Sequence, residues 1–266
     1  MDRDTMQQLL ADLATKSWIE LPEGWLQGRT VFGGLTSLMM LHQAERAVND
    51  PNKQLLSCSI SFVAPVQAQP VKVTVEILRQ GKSVTVVEAR LWQDNAVMSV
   101  LLAHFGAKRD SHLNIQQQRV APDYPAPEQL TILPYHPLMP QCYQNFDLVW
   151  AEGAYPCAAS PQPDFGGWFR YQEKFGTGML SMPEFIGLID IWPAGVFSTL
   201  TTPAPGSSVS WSVTLLREIR YNRLDWFKYK VFTDYAEHGY ATEYAHIWDQ
   251  NDCLVAISRQ TVAVFA

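Results

Sequence analysis

A chain of 266 residues with 47% hydrophobic and only 17% charged residues is too apolar to stay disordered and long enough to bury a large core. Its net charge of −6 and pI near 5.5 offer no long-range attraction to phosphate backbones or anionic lipid, so neither nucleic acid nor a membrane is expected as a partner. No run approaches the roughly 18 uninterrupted apolar residues of a membrane span. The opening MDRDTMQQLLADLATK also lacks the basic start and apolar centre of a secretion signal, so a cytoplasmic protein is expected.

In chain order, Met6, Leu9, Leu10 and Leu13 recur at helical spacing and predict a short amphipathic helix. A strand-like WIEL at 18–21 follows. Gly28, Gly33 and Gly34 then permit turns or close backbone approach ahead of a helix-compatible run from Leu35 to Val48. From Leu55 to Phe105 the segments SCSISFVAPV, VKVTVEIL, SVTVVEARLW and AVMSVLLAHF predict an antiparallel meander.

Residues 107–140 carry Pro122, Pro125, Pro127, Pro134, Pro137 and Pro140 with little periodicity, and read as a connector. It separates an N-terminal unit, 1–106, from a C-terminal unit, 141–266. Beyond it, NFDLVWAE and GGWFRYQEKF predict strands. Ser181-Met-Pro-Glu184 has the pattern of a capping box with proline just inside a helix. The helix body is expected over Phe185–Ile191, limited by Pro193 and Gly195. Four further strand-like segments, SSVSWSVTLL, WFKYKVFTDYA, YATEYAHIW and CLVAISRQTVAVF, complete the chain.

The two halves overlay. Ala89-Arg-Leu-Trp92-Gln-Asp-Asn95 matches Ala245-His-Ile-Trp248-Asp-Gln-Asn251 at an offset of 156. This predicts two copies of one helix-plus-sheet unit.

Familiar catalytic motifs are absent: no phosphate-binding glycine loop, no G-x-S-x-G elbow, no H-E-x-x-H. Cys58, Cys142, Cys157 and Cys253 form no C-x-x-C pair and read as packed thiols, and the six histidines hold no pair at metal-ligand helix spacing. Neither a metal nor a cofactor is expected. Asp190, by contrast, stands alone among Phe185, Ile186, Leu188, Ile189, Ile191 and Trp192. A carboxylate in such surroundings needs hydrogen-bond donors, either as a purely structural group or as a base. Gln260 shares a strand face with Leu254, Ala256, Ser258, Val262 and Val264. Ser208, Ser210, Ser212 and Thr214 line one face of another predicted strand, opposite Val209, Trp211 and Val213.

These features resemble acyl-CoA thioesterase II and related thioesterase-like proteins. The likeness rests on the lone Asp after a helix, a hydroxyl on the next strand, and Gln in the terminal S-R-Q-T-V run. Gln27-Gly-Arg29-Thr-Val-Phe-Gly33-Gly34 is also similar to the family's R-x-V-F-G-G segment. The resemblance covers about residues 18–106 and 178–266. It implies an α+β double hot dog: two tandem copies of an antiparallel sheet wrapped around a long central helix. It also implies hydrolysis of acyl-CoA to free acid and CoA, in fatty acid metabolism, through a water held by Asp190, Ser210 and Gln260. Serine replaces the usual threonine, and a register change would transfer its role to Ser208 or Ser212. Gly33 and Gly34 are candidate oxyanion donors or have a conformational role alone. Arg217, Arg220 and Arg223, with Lys228 and Lys230 behind them, are candidate contacts for CoA phosphates or merely a solvated cluster. Trp192, Phe197 and Trp211 are candidate walls of an acyl pocket or plain core. At the 156 offset Gln260 falls opposite His104, read as a core residue, and Ser37 falls opposite Asp190; one site per chain is expected. Relatives commonly assemble through sheet edges and faces, implying a homo-oligomer. The alternatives are a hot dog hydratase or dehydratase, which wants an Asp and His pair, and a non-catalytic acyl-CoA-binding protein.

Overall fold

Helix α1 (Arg3–Thr15) starts where the Asp2 carboxylate accepts a hydrogen bond from the Thr5 amide, and it turns Met6, Leu9 and Leu13 into the core. The structure is a computed structural model describing residues 2–266. A two-stranded ribbon, β1 (Leu26–Gln27) and β2 (Thr30–Val31), turns through Gly28 at φ 69° and leads into α2 (Gly33–Val48). The predicted strand at 18–21 is reduced to a single bridge, Ile19 with Val71.

Strands β3 (Lys53–Phe62), β4 (Lys72–Gln80), β5 (Val84–Gln93) and β6 (Ala96–Ala107) follow α2. Further on, β7 (Phe146–Glu152) and β8 (Phe165–Tyr171) precede α3 (Met182–Ile189). Then come β9 (Gly206–Leu215), β10 (Phe227–Glu237), β11 (Tyr240–Asp249) and β12 (Leu254–Val264). One ten-stranded antiparallel sheet contains all of these strands, in the order β4-β5-β6-β3-β9-β12-β11-β10-β8-β7. The expected meander is therefore incomplete: β4, β5 and β6 run as hairpins, but β3 leaves them to pair with β6. The same permutation recurs as β10-β11-β12-β9. The two copies fuse where β3 pairs with β9.

The second helix, expected over Phe185–Ile191, runs as α3 and has 8 residues against 16 in α2. Pro193 blocks its continuation, since a proline ring clashes with the preceding turn. The helices cross at two glycines. A Cβ on Gly34 would lie 2.5 Å from the Gly187 carbonyl oxygen, and one on Gly187 would lie 3.2 Å from the Gly34 carbonyl oxygen.

The duplication extends to irregularities. Leu56 in β3 and Val209 in β9 are each the extra residue of a β-bulge, and so are Leu78 in β4 and Asp234 in β10. Met98 in β6 and Val255 in β12 form a third such pair. The 156 offset holds along β5 and β11 but fails beyond their hairpins. Gln93 pairs with Ala96 across a two-residue turn, whereas the second copy needs the longer loop after Trp248, Asp249 to Cys253. The strand residue matching Gln260 is consequently Ala103, not His104. His104 alternates with the buried Ala103 and Phe105 and is only half-buried, on the face away from α2. Its expected core position is corrected accordingly.

The proline-rich segment is a strap. Its carbonyls accept hydrogen bonds from Trp248 Nε1 at Arg119, from Lys228 Nζ at Pro122 and from Trp168 Nε1 at Pro125. These donors stand on the sheet face opposite the helices, and the strap satisfies them where water is excluded. No helix among the described residues is long and apolar enough to cross a membrane.

Candidate active site

The capping box at Ser181 sets the helix that leads to Asp190. Ser181 N donates to Glu184 Oε2 at 2.9 Å, while Ser181 Oγ accepts from Glu184 N. Arg223 Nε locks the same glutamate at 2.7 Å. With the start fixed, the eight-residue body ends at Ile189 and Asp190 becomes the C-cap, with φ −85° and ψ −2°. Its side chain lies beside the start of α2, where its carboxylate accepts a hydrogen bond from the Gly34 amide. A Cβ on Gly33 would come within 2.9 Å of Asp190 Oδ2 and 3.2 Å of the Phe62 ring. Position 33 thus has room for no side chain unless one of these neighbours moves. Burial pushes the Asp190 carboxyl up to about 7, overcoming the opposite pull of the Gly34 hydrogen bond. The residue nonetheless keeps some solvent contact.

A second polar group crosses the inner face of the sheet. Thr233 on β10 faces Glu243 on β11, and Glu243 faces Gln260 on β12. Gln260 Nε2 donates to Glu243 Oε1 at 3.0 Å, and Ser208 Oγ on β9 donates to Gln260 Oε1 at 3.0 Å. Glu243 Oε2 accepts the Gly195 amide at 2.8 Å, and the carboxylate also accepts the Val196 amide. Glu243 is 1% exposed, and burial raises its carboxyl to about 7 against these three donors. The Thr233 hydroxyl is buried without a partner.

Tyr229 connects the two groups electrostatically. Burial pushes its phenol well above its ordinary value, and the negative charges of Glu243 and Asp190 add to the shift. Its ring stacks on Trp192 at 5.1 Å with an interplanar angle of 3°. Trp192 also packs against Trp150, Phe165 and Phe169. Of the expected acyl-pocket aromatics, Trp192 therefore adjoins the site. Trp211 is core with its Nε1 bonded to Ser258, and Phe197 packs on Gly206.

The structure brings Gln260 together with Ser208, not with Ser210. Strict alternation places Ser208 and Ser210 on the same outward face, but the bulge at Val209 reverses the side-chain parity between them. Ser208 turns inward while Ser210 is exposed. Of the two glycines expected as oxyanion donors, Gly34 has its amide engaged by Asp190. No side chain caps the start of α2, where Phe32 is the N-cap.

The arginine cluster does not converge on this site. Arg223 is spent on buried Glu184, Arg220 pairs with Glu218 at 2.9 Å, and Arg217 Nε donates to the Leu254 carbonyl at 3.2 Å. At about 3.3 Å per residue, β9 carries Arg217 roughly 30 Å from Ser208. Sequence reasoning missed Glu243 altogether. Its signal was the inward alternation Ala241, Glu243, Ala245, Ile247, which sets a charge among small and apolar neighbours.

The fold and site define a double hot dog protein whose buried acid, amide and hydroxyl groups gather in the second copy. Residues 21–106 match the acyl-CoA thioesterase N-terminal domain family, and residues 118–264 match the acyl-CoA thioesterase C-terminal domain family. The chain belongs to the acyl-CoA thioesterase family. Among solved structures it is similar to a hot dog protein of unknown function from Alicyclobacillus acidocaldarius, with TM-score 0.79 and 21% identity over 94% of this chain and 92% of that one. An acyl-CoA thioesterase II from Mycobacterium marinum gives TM-score 0.70 and 20% identity over 88% of each chain. A TesB protein from Mycobacterium avium subspecies paratuberculosis gives 0.74 and 17% over 98% and 99%. No curated protein sequence matches.

Proposed function

We propose that the protein hydrolyses acyl-CoA thioesters to free acid and CoA at a single site in its second copy. The observation that carries this reading is the Asp190 carboxyl. It is desolvated to a pKa of about 7, held by the Gly34 amide, and set against the uncapped start of α2. A base poised near neutral pH combines a useful ionised fraction with a strong drive to take a proton.

In this mechanism Asp190 takes a proton from water as the water oxygen attacks the thioester carbonyl. The Gly33 amide and the positive end of α2 face the oxyanion that develops. Collapse of the tetrahedral intermediate breaks the carbon–sulfur bond, and the proton held by Asp190 neutralises the departing thiolate. Gln260 and Ser208 orient the water. The first copy serves as scaffold and as the source of the amides that Asp190 and the oxyanion use. No metal or cofactor enters this scheme, and the active form is taken to be a homo-oligomer in the cytoplasm.

The test is thiol release from acyl-CoAs of increasing chain length, with wild type and Asp190→Asn side by side. Cleavage by wild type and its loss in the variant are expected. Equal cleavage by both would overturn the mechanism. Binding without cleavage would favour a non-catalytic acyl-CoA-binding protein.

A further inference from the structure

Glu243 meets the candidate site through Gln260, yet the proposed hydrolysis gives it no chemical step. Its burial needs explaining, because an isolated carboxylate removed from water is costly unless donors surround it. The donors are specific. One oxygen takes Gln260 Nε2 and the other takes the Gly195 amide, with Val196 also donating to the carboxylate. Gly195 begins the turn after Asp190-Ile-Trp-Pro-Ala, so one side chain joins the loop leaving Asp190 to the strand facing Gln260. Space at that turn is tight, for a Cβ on Gly195 would lie 2.6 Å from the Thr233 hydroxyl.

A carboxylate only accepts hydrogen bonds, and at pH 8 Glu243 is mostly in that form. It therefore forces Gln260 to present nitrogen to β11 and oxygen to Ser208, which matches the 3.0 Å bond from Ser208 Oγ to Gln260 Oε1. We propose that Glu243 is the positioning residue of this site: it dictates which way the Gln260 amide faces and ties the loop after Asp190 to the same strand. The inference rests on the thioesterase reading for its kinetic consequence, although the orientation itself does not.

Glu243→Gln has nearly the same shape and discriminates sharply. Its one carbonyl oxygen cannot serve both Gln260 and the turn amides. With that oxygen given to the turn, its amide nitrogen faces Gln260 and makes Gln260 rotate, so that nitrogen now confronts Ser208. Glu243→Asp keeps an acceptor-only group and with it the original direction.

Two readouts are taken at pH 8 on folded variants, with Ser210→Ala as a control outside the site. The first is the Gln260 side-chain amide in a nitrogen-15 NMR spectrum, assigned by its disappearance in Gln260→Ala. The second is thiol release from acyl-CoA. Glu243→Gln is expected to move the Gln260 amide resonances and speed their exchange with solvent. It should also lower kcat at least tenfold with KM within threefold of wild type, while Glu243→Asp restores most of both. Unchanged Gln260 resonances in Glu243→Gln would overturn the inference, as would an unchanged kcat in an enzyme that wild type shows to be active. Moved resonances in a protein whose wild type cleaves no acyl-CoA would uphold the orientation and overturn the thioesterase reading instead.

Discussion

The two copies of the hot dog unit share their strand order, their bulges and their glycine crossing, yet differ where the sheet's inner face meets the helices. In the second copy Asp190, Ser208, Thr233, Glu243 and Gln260 occupy positions that the first copy fills with Ser37, Leu55, Ile77, Val87 and Ala103. Leu55, Val87 and Ala103 are buried core, and Ser37 spends its hydroxyl on the Gly33 carbonyl at 2.8 Å. The same bulge that turns Ser208 toward Gln260 turns Leu55 into the first core. Backbone irregularity was thus duplicated with the fold, while at these matched strand positions the polar side chains belong to the second copy. The first copy still takes part, because the amide that holds Asp190 belongs to Gly34 at the start of its helix.

Substitutions that break this contrast should have graded effects. Asp190→Asn should lower kcat at least about a thousandfold, within the range for losing a positioned general base. Ser37→Ala at the matching place should stay within threefold; steady-state thiol release measures both. The reverse exchange, Ser37→Asp, buries a charge with no prepared donor and should cost about 3 kcal/mol in denaturant unfolding. Ser208→Ala should reduce kcat about tenfold to a hundredfold, as expected for lost hydrogen bonding to the water, whereas Ser210→Ala should leave it within twofold. Arg220→Ala removes only an exposed pair with Glu218 and should shift stability by less than about 0.5 kcal/mol without altering KM.

The same carboxylates make stability fall as pH rises. For Asp190 the folded pKa of about 7 lies above its ordinary 3.8, so the stabilisation is complete below about 3.8 and is lost as pH rises through 7. Glu243 behaves alike between 4.5 and about 7. Thermal unfolding at pH 8 should accordingly show Asp190→Asn at least as stable as wild type while it is nearly inactive.

Much of this was legible in the chain. A single acid among Phe185, Ile186, Leu188 and Ile189 marked Asp190, an amide on an apolar strand face marked Gln260, and S-M-P-E marked the start of the helix that leads to Asp190. The hydroxyl partner was not legible. Alternation carries no sign of a bulge, and the extra residue at Val209 sets Ser208 rather than Ser210 beside Gln260. One added residue in the second hairpin likewise shifted the counterpart of Gln260 from His104 to Ala103. The arginines looked like a cluster because they are close in sequence, but Arg223 pairs inward with Glu184 and the others sit at the far end of β9. Glu243 lay open to the inward-face reasoning that picked out Gln260 and was passed over.

Hydrolysis through a desolvated Asp190 is tested most directly by kcat/KM for acyl-CoA cleavage as a function of pH in wild type. A rise with unit slope to a plateau, with its midpoint near 7, is the predicted result. A rate that stays flat from about pH 5 to 9, with thioester cleavage intact, would contradict Asp190 as the base.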